Sequence, residues 1–340
     1  MAAQRMVTQE RPPSRLGAAY PPVTPKRPAH ISVDGVSKVI DGQTILNEVS
    51  FEVPAREIFG VIGPSGSGKS VLLRMLVGQI LPTAGTIRIL GNEPRSFSTA
   101  DREQIGYVPQ GFLLYPTLTV EQNARFAAGL YGMGWRNRRR RIRECLELLG
   151  LWTARKRRAS DISGGMKRRL SFACALLHSP RVLFVDEPTA GLDPILRSTI
   201  WDHLRFLSEH GTTVFVTTQY LDEAALCDRV ALVHGGEIAA LGTPDELRRR
   251  ALGGQAVDVE APNFDAAHVA ALRELRQVRR VTSHSIGTLR IVVDDVATAT
   301  PLITSILTER GGEVKSIETR EPSFDEVFIA LVDEAERSKR

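Results

Sequence analysis

Cysteine is scarce in this chain of 340 residues: Cys145, Cys174 and Cys227 stand far apart and odd in number. They offer no paired spacing for zinc and no disulfide framework, so they read as reduced core thiols of the cytosol. Long apolar runs are missing as well. No stretch reaches the roughly 18 consecutive apolar residues of a membrane span, and residues 1–30 lack the apolar centre of a signal peptide. A broad basic face is the third absence. The net charge is +5, yet residues 1–30 hold five basic side chains against one acidic, which leaves the remainder near neutral. Nucleic acid is therefore not expected as a partner. The segment 1–29, rich in Pro, Ala and Arg, has too little apolar periodicity to order itself and reads as a disordered tail.

What remains is an ordinary globular composition, 42% hydrophobic and 24% charged, long enough for two domains. Strands are expected over 30–41 and 49–53. The run EIFGVIG (57–63) is almost wholly apolar and stops at glycine, as a buried parallel strand does. A helix pattern follows over 69–79, then strands at 86–90 and 105–110. Residues 111–180 change character, with helical segments near 120–132, 136–150 and 164–178 and no strand between them. Strand patterns resume at 181–187, 212–218 and 229–241. The fold class expected is α/β, a sheet domain carrying an all-helical insert. Beyond Gly253 the order is strand, helix, two strands joined through Gly287, helix, strand, then a last helix over 322–333. That βαββαβ order predicts a small α+β, ferredoxin-like domain.

The strongest chemical signal is GPSGSGKS (63–70), which fits G-x-x-x-x-G-K-[ST]. In this pattern Gly63, Pro64, Ser65, Gly66, Ser67 and Gly68 curl the backbone so that N–H groups point at phosphate oxygens. Lys69 adds a point charge and Ser70 a hydroxyl for Mg²⁺. The helix that follows directs its positive end at the same anion. In VLFVDEP (182–188) an apolar strand ends in two carboxylates at the sheet's carboxyl edge, where open α/β sheets bind ligands. Asp186 suits Mg²⁺ there, and Glu187 suits the water that attacks a phosphate. DISGGMKRRL (161–170) starts a helix with Ser163 as N-cap and Gly164 and Gly165 baring its backbone. Taken alone, it is either a second anion site or an ordinary capped helix.

The succession of phosphate loop, VPQ (108–110), SGG (163–165), VLFVDEP and GLDP (191–194) resembles the ATP-binding subunit of ABC transporters across residues 30–250. The resemblance implies a P-loop NTPase cassette over 30–252 with its helical subdomain near 111–180, leaving 253–340 as an accessory domain. It implies ATP and Mg²⁺ as cofactors, with Ser70, Gln110 and Asp186 on the metal side. It further implies that Ser163, Gly164 and Gly165 touch the γ-phosphate held by a second ATPase subunit, and that Asp193 organises the interface of that pair. Met166, where glutamine is commonest, and EPSFDEVFIAL (321–331) resemble the drug- and antibiotic-exporting group that pairs with ABC-2-type permeases. Two further positions depart from the family. Ile40 stands where an aromatic ring stacks on adenine, and Gln219 where a histidine meets the γ-phosphate.

The resemblance thus implies a peripheral ATPase on the cytoplasmic face of the membrane, acting on an integral permease. An importer ATPase with a regulatory C-terminal domain, or an ABC ATPase of translation or DNA repair, are the alternatives. Gln219 is either a γ-phosphate contact or a plain strand end. WRNRRRRIR (135–143) is either a surface for lipid headgroups or a basic-seeking partner, or the solvated side of a helix. The aromatic segment 113–132 serves as insert core, as the groove for a permease's coupling helix, or both.

Overall fold

A computed structural model describes residues 29–285, 287–309 and 311–338. The tail expected over 1–29 lies outside the described residues except for Ala29. Strands β1 (Ala29–Ile40) and β2 (Gln43–Pro54) form a hairpin whose turn, Asp41-Gly42, has φ of 49° and 78° at its two central residues. An Asp-Gly pair tolerates that left-handed geometry, which matches the natural twist of paired strands. β3 (Ile58–Ile62) and helix α1 (Lys69–Leu76) follow, then β4 (Ala84–Ile89), which pairs with β1 on its free side. Inward-facing Ile31, Val33, Phe51, Val53, Ile87 and Ile89 give this antiparallel sheet one buried face.

The central sheet has six strands. After the single helical turn α2 (Thr99–Arg102) come β5 (Ile105–Val108) and the helical layer: α3 (Val120–Leu130), α4 (Trp135–Leu148) and α5 (Gly164–Leu176). β6 (Val182–Asp186), α6 (Pro194–Glu209), β7 (Thr213–Thr218), β8 (Arg229–His234), β9 (Glu237–Gly242) and α7 (Pro244–Leu252) complete the cassette. Strand order is β5-β6-β7-β3-β8-β9, parallel except for β9. Every residue of β3, β6 and β7 is buried, because both faces are covered. On one side lie α1 and the antiparallel sheet, joined by stacked Phe51, Phe59 and Phe215 with centroids 5.0 and 5.8 Å apart along that chain. On the other lie α3 to α6.

The strand expected over 229–241 is instead a hairpin. Gly235 and Gly236, at φ 56° and 82°, turn the chain back so that Val230 pairs with Gly242. Burial pushes the thiols of Cys145 and Cys174 up, to about 11 and about 12, and that of Cys227 further still. All three are free cysteines of low reactivity.

Beyond α7, β10 (Gln255–Glu260), α8 (Ala266–Glu274), β11 (Val278–Ser285), β12 (Thr288–Val293), α9 (Val296–Glu309) and β13 (Ser316–Arg320) build a second sheet. Its order, β11-β12-β10-β13 with every pair antiparallel, is that of a ferredoxin-like fold. The last helix, α10 (Phe324–Ser338), returns to the cassette, where Phe324, Val327 and Leu331 enter the core beneath the helical layer. Among the described residues, no helix is long and apolar enough to cross a membrane.

Candidate functional site

Parallel strands aligned in register put their carboxyl ends at one edge. Val61 of β3 lies beside Thr217 of β7, which lies beside Asp186 of β6. The chain leaving β3 there is the loop 63–70. Gly66 and Gly68 take φ of 82° and 97°, a conformation that glycine adopts without a Cβ clash. A Cβ at Gly63 would meet the carbonyl oxygen of Val233 at 2.1 Å, so that position is closed to any side chain. Pro64, Ser65 and Gly66 are exposed, while Ser67, Gly68 and Lys69 are buried. The hydroxyl of Ser67 is buried with no hydrogen-bond partner, an orphan that a phosphate oxygen would satisfy.

Lys69 is 4% exposed and donates to the carbonyls of Gly63 and Pro64 at 2.8 and 2.7 Å. An ammonium has three N–H donors, so one remains for an anion. Burial lowers its pKa, and the carboxylates of Glu187 and Asp186 oppose that shift. Ser70 Oγ donates to Asp186 Oδ1 at 3.1 Å, and Thr217 Oγ1 donates to the same oxygen at 2.5 Å.

Glu187 leaves β6 with φ 45°, a conformation an L-residue holds only under constraint. Its N–H donates to the Thr217 carbonyl at 2.9 Å. The side-chain nitrogen of Gln110 donates to Glu187 Oε2 at 2.8 Å, which leaves the Gln110 amide oxygen for water or a cation. The structure therefore brings Lys69, Ser70, Gln110, Asp186 and Glu187 together.

Other expected residues lie elsewhere. Ser163 accepts the N–H of Met166 at 3.3 Å as the N-cap of α5, and Gly164 beside it is exposed. Gly165 is held close to α6, where a Cβ would meet Leu196 at 2.5 Å. Asp193 is the exposed N-cap of α6, accepting the N–H of Leu196 at 3.0 Å. No hydrogen bond joins these four to the phosphate loop among the described residues. Ile40, at the end of β1, is 38% exposed. Gln219 follows β7 with its side chain exposed.

Three participants were missed in the sequence. Thr217 needed the strand order to be placed against Asp186. Arg168, 3% exposed, donates to the carbonyls of Pro109 and Gln110 at 2.8 and 2.9 Å and so joins α5 to the Gln110 loop. Burial lowers its pKa while Asp186 and Glu187 raise it, which makes it the second cation of a four-charge cluster. Glu223, 1% exposed, accepts from Thr189 Oγ1 at 2.6 Å and ties the segment after Glu187 to the segment after Gln219. The only sequence signal for Arg168 was a cation on the buried stripe of an otherwise apolar helix face.

A glycine loop opening a helix, a lysine with a spare donor and two consecutive carboxylates at the end of β6, one strand removed from β3, define a P-loop nucleotide-binding protein. Residues 46–190 match the ABC transporter family, and residues 242–332 match the family of the ATP-binding protein DrrA1-3-like C-terminal domain. The daunorubicin resistance ATP-binding protein DrrA3 of Streptomyces coeruleorubidus is 38% identical over 91% of this chain and 98% of its own. A probable multidrug ABC transporter ATP-binding protein, YbhF of Escherichia coli (strain K12), is 40% identical over 67% of this chain, which spans 39% of that relative's length. A dimeric ATP-binding cassette, MJ0796, in a post-hydrolysis state bound to ADP and Pi, superposes with a TM-score of 0.58 at 28% identity, over 63% of this chain and 98% of that one. The chain belongs to the ATP-binding proteins of the ABC transporter family.

Proposed function

We propose that this chain binds and hydrolyses ATP as one subunit of an exporter, two cassettes acting on a separate integral permease from the cytoplasmic face. The observation that carries it is a Glu187 carboxylate, oriented by Gln110 at 2.8 Å, whose charge acts on Lys69 of the phosphate loop. The loop 63–70 takes the phosphates, Lys69 with its remaining N–H and Ser67 with its orphan hydroxyl. Glu187 then accepts a proton from the attacking water, and the Gln110 amide keeps the carboxylate turned toward it.

Among the described residues no three His, Cys, Asp or Glu side chains cluster as a metal site. Ser70 and Asp186 fit Mg²⁺ nonetheless, since this ion usually rests on one or two protein oxygens plus phosphate and water. Gln110 adds its amide oxygen. The ion would supply charge neutralisation on the phosphates. Ile40 gives adenine an aliphatic contact in place of a ring.

Ser163, Gly164 and Gly165 serve the γ-phosphate of a second subunit, most simply another copy of this chain, with Asp193 at the joint. The exposure of Ser163, Gly164 and Asp193 supports this reading. Beside Gln110, exposed Phe112, Leu113, Tyr115 and Phe126 form an apolar surface suited to a permease segment. Asn123 holds that loop, accepting the Tyr115 N–H at 2.8 Å and donating to the carbonyls of Tyr115, Leu118 and Thr119. The names of the relatives, daunorubicin resistance and multidrug transport, favour export of a drug-like or lipid-like compound.

Glu187→Gln in the full chain tests the core of this. ATP turnover is expected to fall about 10²–10⁴-fold, the usual contribution of a general base. ATP with Mg²⁺ should then shift the variant to a dimer in size-exclusion chromatography. Intact turnover would remove Glu187 from the reaction, and a persistent monomer would remove the paired cassette.

A further inference from the structure

The run WRNRRRRIR occupies the first nine residues of α4, and no acidic residue lies in its first turn. Arginines at the amino end of a helix oppose its dipole, and Arg139 and Arg143, four residues apart, repel each other along one stripe. Arg139 and Arg143 are exposed and outside the core, whereas Arg141, 8% exposed, donates to the carbonyls of Leu176 and Leu177, and Cys145, Leu146 and Leu149 bury the other side of the helix. This electrostatic cost is offset when an anion lies against that face.

The stripe leads into a cleft of about 230 Å³ between α3, α4 and the turn at Trp152. Arg125, Arg139, Arg143 and Arg155 line it against a single acidic side chain, Glu121. Arg143 and Arg155 both lie over the Trp152 ring, at 5.3 and 4.5 Å from its centroid. Arg125 pairs with Glu121 at 2.6 Å and Arg143 with Glu147 at 2.8 Å, whereas Arg139 makes no ion pair among the described residues. Even with Glu147 counted, positive charge exceeds negative. One helical turn before Arg139, Trp135 opens α4, 78% exposed, and Leu130 closes α3, 71% exposed.

We infer that this face docks on an anionic lipid bilayer, the arginines meeting headgroup phosphates while Trp135 and Leu130 enter the interfacial layer. Charge complementarity favours any polyanion. The exposed Trp and Leu beside the arginines favour a membrane over nucleic acid, because an interfacial segment couples a basic face to an insertable apolar one. The inference rests on the proposed function only in turning this face, next to the aromatic surface by Gln110, toward a membrane.

The test is flotation of the purified full chain with phosphatidylglycerol-containing vesicles and with pure phosphatidylcholine vesicles. Binding is expected for the anionic vesicles alone, weakening with salt and unaffected by inorganic phosphate. R139Q/R143Q/R155Q, with an unchanged melting temperature, should bind about a hundredfold more weakly, the effect of removing three basic side chains near an anionic surface. A second variant, R11Q/R15Q/K26Q/R27Q, neutralises the basic amino-terminal segment and should retain binding. Absence of vesicle binding would overturn the inference. So would loss of binding in the amino-terminal variant alone, displacement by inorganic phosphate, or retention on a DNA oligonucleotide in place of vesicles. The two readings fail separately, since co-purification with no membrane protein counts against the proposed function and leaves the flotation result standing.

Discussion

Gln219 leaves β7 with the backbone on either side of it anchored and its own side chain exposed. The N–H of Tyr220 donates to Thr218 Oγ1 at 3.1 Å, and the Arg197 guanidinium lies 4.2 Å from the centroid of the Tyr220 ring. Three residues further on, Glu223 is fastened to Thr189. An amide so placed can donate one hydrogen bond to a phosphate but cannot become cationic. A preorganised donor that acts in the transition state is worth on the order of 10²–10³ in rate, and a neutral glutamine should retain part of that. Gln219→Ala is therefore expected to lower kcat for ATP by about 10- to 100-fold with little change in KM, read as steady-state phosphate release. Gln219→His should match or exceed the native rate. An alanine variant as fast as the native chain would make Gln219 a plain strand end. The difficulty of reading Gln219 contrasts with the loop 63–70, where glycine spacing alone dictates the chemistry. Thr217 and Arg168 act through neighbours remote in sequence, so no local pattern announced them.

Between the two sheets of the cassette, a single histidine serves as a joint. His30 of β1 is 6% exposed, with Nδ1 2.8 Å from Thr213 Oγ1 and Nε2 3.2 Å from the Arg181 guanidinium. A guanidinium only donates, so Nε2 accepts and the ring's proton sits on Nδ1, directed at Thr213. Burial first, and Arg181 second, hold the pKa of His30 at about 4. The unfolded chain, near 6.5, binds more protons between those values. This contribution to stability is therefore complete above pH 6.5 and is lost as pH falls toward 4. Melting temperature is expected to decline across that window, and His30→Gln should make the decline shallower. An equal slope in the variant would exclude His30 as its source. His178, also held near 4 by burial, contributes in the same direction. At this scale the periodic elements were legible, β3 and β6 from their apolar runs, β7 from Val214-Phe215-Val216 between threonines, and α3 to α5 from their apolar stripes. The β8–β9 hairpin was not, because Gly235-Gly236 interrupts a pattern that otherwise reads as continuous strand. Helix α6 went unread although its N-cap and following proline, Asp193-Pro194, are a standard start signal.

For the whole molecule, sequence order and packing order disagree at the carboxyl end. The sheet of β10 to β13 follows the cassette, and the composition shift at Gly253 made everything beyond it look like one appended unit. Yet α10 crosses back, and Val327 and Leu331, both fully buried, lie in the same core as Val120, Leu170 and Trp201. Ion pairs fasten the return: Arg250 to Glu334 and Arg248 to Glu321, each at 3.0 Å. The ferredoxin-like sheet is thus spliced between two segments that complete the cassette. Local periodicity could identify α10 as a helix but not its destination. Leu331→Ala separates an appended unit from a shared core, because truncating a buried leucine costs about 2–5 kcal/mol wherever its cooperative unit extends. All three tryptophans, at positions 135, 152 and 201, lie in the cassette. Urea unfolding followed by tryptophan fluorescence therefore reports the cassette alone, although the substitution sits in the last helix. The expected result is a midpoint shifted to lower urea by that full amount with the slope unchanged, together with the same loss of stability measured in the presence of ATP. An unmoved midpoint would mean that the cassette folds without α10, and that the helix merely rests on a core already closed.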